Sequence, residues 1–210
     1  MERALHKTPL NAWHHEHGGQ MVEFAGWEMP ISYKPGIIEE HLGTRRYGGL
    51  FDISDMGRFS ISGKDAVPFL QHALTNNALA LDPGMAQYTM IPTENGGALD
   101  DAYLYRVDED DTGSRKYLLV VNAATRETDW NWFMEQKKAF PDLAMEDETS
   151  EMGMMAFQGP ATKGGLGEDY KTPRPLEKPA EDQSCRGGLG HGVADGLHRG
   201  AHRFRALHPP

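Results

Sequence analysis

Two adjacent carboxylates, Asp100 and Asp101, follow the double glycine Gly96-Gly97 within residues 95–105, Asn-Gly-Gly-Ala-Leu-Asp-Asp-Ala-Tyr-Leu-Tyr. A positioned carboxylate can act as a general acid or base or as a fixed negative charge. Whether either Asp is so positioned depends on the elements around it. Glycine takes positive φ without steric cost, so Gly96-Gly97 reads as a tight hairpin turn. Residues 88–92 before it and 102–107 after it, with Tyr103, Leu104, Tyr105 and Val107, read as strands. Strand side chains alternate between faces, so one Asp points inward and the other outward. An inward Asp is costly unless it has a partner or a task. Asp is also common beside turns, where it caps backbone amides. Taken alone, the turn-capping reading is the better supported of the two.

The elements that would position the pair follow from periodicity. Residues 21–24 read as a short alternating strand. Residues 37–47 read as a helix, with Ile38, His41, Leu42 and Arg45 along one face and Gly48-Gly49 as its stop. Residues 58–62 alternate Phe59 and Ile61 as a strand. Asp65 reads as the N-cap of a helix running through Ala73, with Pro68 tolerated in its first turn. Residues 88–92, 102–107 and 117–122 form three antiparallel strands, the last two joined by a charged loop over 108–116. Residues 125–139 read as a helix presenting Trp130, Phe133, Met134 and Lys137. Residues 152–157 close the series as a short apolar strand. The fold class is α+β, an antiparallel sheet with packed helices.

Composition bounds the function. A net charge of −10 argues against nucleic acid or an anionic membrane surface as the main partner. One cysteine, Cys185, excludes an internal disulfide and a cysteine-rich zinc site. The start of the chain lacks an apolar signal core, and no stretch is long enough to cross a bilayer. These features point to a soluble protein of a reducing compartment, the cytoplasm.

The composition breaks at Pro160. All four Trp and all eleven Met precede it, and residues 161–210 contain no Ile, one Val (Val193) and one Phe (Phe204). Chain this poor in apolar residues cannot bury enough surface to offset its ordering entropy. The expected organisation is therefore a domain over 1–160 and a disordered or badly packed tail over 161–210. The Arg/Gly/His/Pro bias of the tail suits either a flexible extension or a GC-rich gene read out of frame.

Six ordered blocks resemble the aminomethyltransferase family, the T-protein of the glycine cleavage system. They are Thr8-Pro9-Leu10, the Met21-Val22-Glu23-Phe24-Ala25-Gly26-Trp27-Glu28-Met29-Pro30 run, and Gly49-Leu50-Phe51-Asp52-Ile53-Ser54-Asp55-Met56-Gly57. Residues 95–101, Val120-Val121-Asn122-Ala123-Ala124 and Ala156-Phe157-Gln158-Gly159-Pro160 complete the set. The resemblance ends near Pro160, and family members continue for about as much chain again. It implies a truncated folate-binding domain. The implied reaction is attack by tetrahydrofolate on the aminomethyl group carried by the lipoyl arm of the H-protein. Methylene-tetrahydrofolate, ammonia and the reduced lipoyl arm result, and no metal is required. Other folate-dependent demethylases on the same scaffold share the early blocks. A non-enzymatic fragment is the third reading, because the family's pterin contacts from beyond Pro160 have no match here.

The same resemblance assigns roles. The family's catalytic Asp is the second after the double glycine, which is Asp101. Met56 matches a Met that packs on the folate, Tyr88 and Tyr105 match aromatics of the cleft, and Asn122 matches an Asn that bonds the folate region. Asp55 is a departure, since the family commonly has His there. Two other clusters carry less. His14, His15 and His17 suit no single helix face, and no Cys or carboxylate pattern completes a tetrahedral metal set, so they read as solvated surface. The acidic run over 108–111 lacks the glycine and spacing of a calcium loop.

Overall fold

A five-stranded antiparallel sheet divides the chain's apolar residues between its two faces. The structure is a computed structural model that describes residues 4–109, 113–162 and 201–205. The elements are β1 (His6–Lys7), α1 (Asn11–Glu16), β2 (Gln20–Phe24), β3 (Trp27–Ser32), α2 (Ile37–Arg46), β4 (Gly49–Asp52) and β5 (Gly57–Ser62). They continue as α3 (Ala66–Ala73), β6 (Ala86–Pro92), β7 (Ala98–Glu109), β8 (Arg115–Val121), α4 (Arg126–Gln136), β9 (Ala144–Asp147), β10 (Met152–Gln158) and β11 (Ala201–Arg205). The main sheet has the order β6-β7-β8-β5-β9, and two three-stranded sheets run β1-β3-β2 and β11-β10-β4.

Alternation decides what each face buries. Ala102 and Leu104 of β7, Leu119 and Val121 of β8, and Phe59 and Ile61 of β5 face one side. There they meet Phe69 and Leu70 of α3 and Phe133 of α4. Tyr103, Leu118 and Val120 face the other side and meet Met154 of β10, with Met56, Ile53 and Tyr105 packed against them. Full burial of a side chain such as Phe69 or Leu104 contributes ~1.5–3 kcal/mol, so the two helices hold the sheet from one side only.

Several sequence expectations change in detail. β7 and β8 extend to Glu109 and Arg115, which shortens the expected loop over 108–116. Asp65 precedes α3 but makes no side-chain cap bond; its carboxylate accepts from the Asp142 amide at 2.9 Å instead. That long-range bond ties the start of α3 to the segment entering β9. The expected helix over 37–47 forms as α2, yet it buries no residue, and Ile38 is 74 % exposed. Of residues 161–210, Ala201–Arg205 pairs antiparallel with β10, with Met155 opposite His202. Residues 163–200 and 206–210 of the expected tail lie outside the described residues.

Candidate active site

The hairpin that carries the carboxylates is pinned at both ends. Thr93 and Gly97 close its turn, the Thr93 amide donating to the Gly97 carbonyl at 2.8 Å, and Gly96 takes φ +83°. A register shift between Ile91 and Pro92 absorbs the extra residue, after which Ile91 faces Asp100 and Met90 faces Asp101. The glycines thus serve a five-residue turn, and the strand has begun by Ala98.

Because β7 is regular there, Asp100 and Asp101 diverge. Asp101 lies on the face of Tyr103 and Tyr105, where it lines a cleft with Ile53, Met56, Asn122 and Met154. Tyr88 joins the same end: its phenol feels the Asp101 carboxylate, and its ring meets Tyr103 edge-on at 5.7 Å. Burial, then the charge of Asp101, pushes the Tyr88 phenol above its ordinary range. Burial pushes the Tyr105 phenol to about 12. Both tyrosines are therefore neutral donors or apolar walls near neutral pH.

Asp100 faces the helices. Its Oδ2 accepts from Thr125 Oγ1 at 2.5 Å, and its Oδ1 accepts from Asn122 Nδ2 at 2.9 Å. Burial raises the Asp100 carboxyl, but the hydrogen bonds it accepts, led by Thr125 and Asn122, outweigh it and hold the group below the ordinary carboxylate value. Asn122 also reaches the Asp101 carbonyl at 3.3 Å and Asp101 Oδ1 at 3.4 Å. One amide thus links the two carboxylates around the edge of β7.

Met56 is set by a polar scaffold. The loop over 53–56 turns back on itself, the Met56 amide donating to Ile53 at 3.2 Å. Arg58, fully buried, donates to the carbonyls of Ser54 (3.2 Å), Met56 (2.6 Å), Met152 (2.7 Å) and Thr149. Burial lowers its guanidinium to about 10, which still leaves it charged at neutral pH. Gly57 lets β5 approach β8 closely: a Cβ there would stand 2.5 Å from the Val121 side chain. Asp55, the departure from the family pattern, is buried, and burial raises its carboxyl.

The structure therefore brings Met56, Tyr88, Asp101, Tyr105 and Asn122 to one end of one sheet face. Sequence reasoning missed Tyr103, which shares the Asp101 face by simple alternation, and Met154, which arrives from β10. It also missed Arg58 and Asp129. Asp129 is wholly buried in the first turn of α4, beside Asp100. Its spacing of four from Phe133 was the available signal for a buried position. The histidine cluster needs correction. His14 is buried, with Nδ1 2.5 Å from the Tyr33 hydroxyl and Nε2 3.0 Å from Asp52 Oδ2. It sits on the inner side of α1, which the sequence reading did not delimit, and it joins α1 to β4. His15 and His17 are exposed, as expected. The acidic run over 108–111 falls largely outside the described residues.

The cleft encloses about 40 Å³, whereas small-molecule sites commonly hold ~300–1,000 Å³. It is a small cleft, apolar along its length with a carboxylate at its end. An α+β domain carrying such a carboxylate-ended cleft on the face of an antiparallel sheet opposite its helices is the class defined here. Residues 10–168 match the GCVT N-terminal domain, and the chain belongs to that family. It is 40% identical over 156 residues to the aminomethyltransferase of Prosthecochloris aestuarii, covering 74% of this chain and 41% of that protein. It is 43% identical over 159 residues to the aminomethyltransferase of Geobacillus thermodenitrificans, covering 76% and 41%. The crystal structure of glycine cleavage system aminomethyltransferase T from Bartonella henselae superposes with a TM-score of 0.69 at 34% identity, over 76% of this chain and 42% of that one. The chain spans about two fifths of the length of the curated relatives it matches.

Proposed function

We propose that this chain supplies the folate-facing wall of an aminomethyltransferase of the glycine cleavage system. The observation that carries the reading is the placement of Asp101. It stands at the end of an apolar and aromatic cleft, while its neighbour Asp100 is turned to the helices and hydrogen-bonded there. Tetrahydrofolate is the acceptor and the aminomethyl-lipoyl arm of the H-protein is the donor. The folate N10 and N5 nitrogens form the two new bonds to the aminomethyl carbon as its bonds to the amino nitrogen and the lipoyl sulfur break, and the two N–H protons pass to those leaving groups. The products are methylene-tetrahydrofolate, ammonia and the reduced lipoyl arm.

Each wall residue has a distinct task in this reading. The Asp101 carboxylate accepts the N10–H hydrogen bond and stabilises the positive charge that develops during transfer. Met56 and Tyr105 supply polarisable and aromatic surface for the folate ring system. Tyr88 orients the Asp101 carboxylate through its hydroxyl. Asn122 has both amide hydrogens directed at the aspartates, so its contact with ligand runs through Oδ1. No metal takes part. No described helix is long and apolar enough to cross a membrane, and the proposed site of action is the cytoplasm.

Calorimetric titration of tetrahydrofolate under reducing conditions tests the reading. Saturable binding that Asp101→Asn weakens more than Asp100→Asn supports it. Binding indifferent to Asp101, or no binding at millimolar ligand, contradicts it.

A further inference from the structure

Asp129 is a buried carboxyl with no donor. Its side chain is 0 % exposed, and neither carboxyl oxygen has a hydrogen-bond donor. Thr125 lies close enough to serve either Asp100 or Asp129, but it has one hydroxyl hydrogen, and the 2.5 Å contact commits that hydrogen to Asp100. The groups facing Asp129 from β7 are the carboxylates of Asp100, its near neighbour, and Asp101. On its own helix, Arg126 points to Asp147, 3.9 Å away. Two ionised carboxylates in contact repel strongly, and a buried one without donors adds a desolvation cost. A single proton on Asp129 removes both penalties. It neutralises the buried group and supplies the missing donor to an Asp100 oxygen.

We propose that Asp129 keeps its hydrogen from acid up to near-neutral pH, donates it to Asp100, and so fixes the Asp100–Asn122 pair that orients Asp101. Asp129 is a positioning residue: it touches neither the cleft nor any atom that reacts. The chain of contacts is Asp129 to Asp100, Asp100 to Asn122 at 2.9 Å, and Asn122 to Asp101 at 3.3 and 3.4 Å. Burial, with the neighbouring Asp100 charge, pushes the Asp129 carboxyl up to about 7, in accord with this geometry. The pair also explains why Asp100 stays ionised in a half-buried place: donors converge on it from Thr125, Asn122, the Asp101 amide and protonated Asp129. The positioning role rests on the reading of Asp101 as the folate-facing group; the shared proton does not.

The test is a carboxyl-carbon NMR titration of the 210-residue chain labelled at Asp. Asp129 should titrate near neutrality, far above the ordinary ~3.9 of an Asp. In Asp100→Asn its midpoint should fall by at least ~1 unit, the scale of coupled sites. Asp129→Asn keeps a hydrogen donor and should leave the Asn122 side-chain amide and Asp101 signals in place. Asp129→Leu removes the donor at similar size and should move them. An Asp129 midpoint near the ordinary value, or equal displacement by the Asn and Leu variants, overturns the proposal. Should the Leu variant fail to fold, the two midpoints decide alone. Tetrahydrofolate added to the same samples separates the two readings. A high Asp129 midpoint with no folate binding retains the shared proton and removes both the folate reading and the Asp101 role. An ordinary midpoint with intact binding removes only this proposal.

Discussion

Asn122 Nδ2 lies 2.9 Å from Asp100 Oδ1 and 3.4 Å from Asp101 Oδ1, so a single amide spans two carboxylates that β7 sends to opposite faces. The stronger of these contacts is on the helix side. Asn122→Ala should therefore free Asp101 as well as leave Asp100 short of a donor. A lost bond to a charged group costs ~1.5–3 kcal/mol. The urea midpoint should fall accordingly with an unchanged slope, and folate affinity should fall with it. A variant that loses stability with no effect on folate would confine Asn122 to structure.

Asp101→Asn and Asp100→Asn should separate. The first preserves shape and removes the charge and base, so aminomethyl transfer should drop on the ~10²–10⁴-fold scale of general acid–base catalysis. The second should cost mainly stability, on the ~1 kcal/mol scale of a hydrogen bond. The kinetic comparison belongs on a version extended to the length of the relatives. Equal kinetic losses would mean that the two side chains act as one unit.

Arg58→Met should destabilise the chain and loosen Met56. The substitution leaves the carbonyls of Ser54, Met56, Thr149 and Met152 without the buried guanidinium that joins them. A loss of at least ~1.5–3 kcal/mol is expected, read from urea unfolding, together with broadened Met56 methyl resonances. A stable variant with sharp Met56 signals would show that backbone packing alone holds this loop.

Stability should carry an Asp129 signature in pH. Its folded carboxyl titrates at about 7, against ~3.9 unfolded. The folded state therefore binds more protons than the unfolded state between these values. Its contribution is fully present below about pH 4 and is lost as pH rises through 7. Asp100 runs the other way: its folded value is lowered, so its stabilisation is lost on acidification through that value. Asp129→Asn should flatten the decline between pH 4 and 7 while keeping the acid limb. An unchanged decline would assign it to other groups.

The hairpin and the split of Asp100 from Asp101 were legible because both are local. Gly96-Gly97 fixes the turn, and alternation from residue 98 onward fixes which face each carboxylate takes. Met56, Tyr88, Tyr105 and Asn122 came from resemblance, and the sheet brings them to the same end as Asp101. What was not legible depends on distant chain. Arg58 has its meaning from Thr149 and Met152, 91 and 94 residues away. His14 is buried by Tyr33 and Asp52 rather than by anything in its own helix. Asp65 resembled a cap until the Asp142 amide claimed its carboxylate. Asp129 resembled an ordinary acidic residue at a helix start, where the dipole favours one. Its burial and the approach of Asp100 change its chemistry. The helical spacing over 37–47 was legible, but spacing alone does not tell burial, and Ile38 is exposed.

Methionine-methyl NMR of the 210-residue chain with tetrahydrofolate tests the central claim most directly, because the methionines sample both faces of the sheet. Met56 and Met154 line the Asp101 cleft, whereas Met145 packs in the helix-covered core. The folate reading predicts saturable shifts at Met56 and Met154, silence at Met145, and loss of those shifts in Asp101→Asn. Shifts centred on Met145, or none at millimolar tetrahydrofolate, would contradict the assignment of this face as the folate wall.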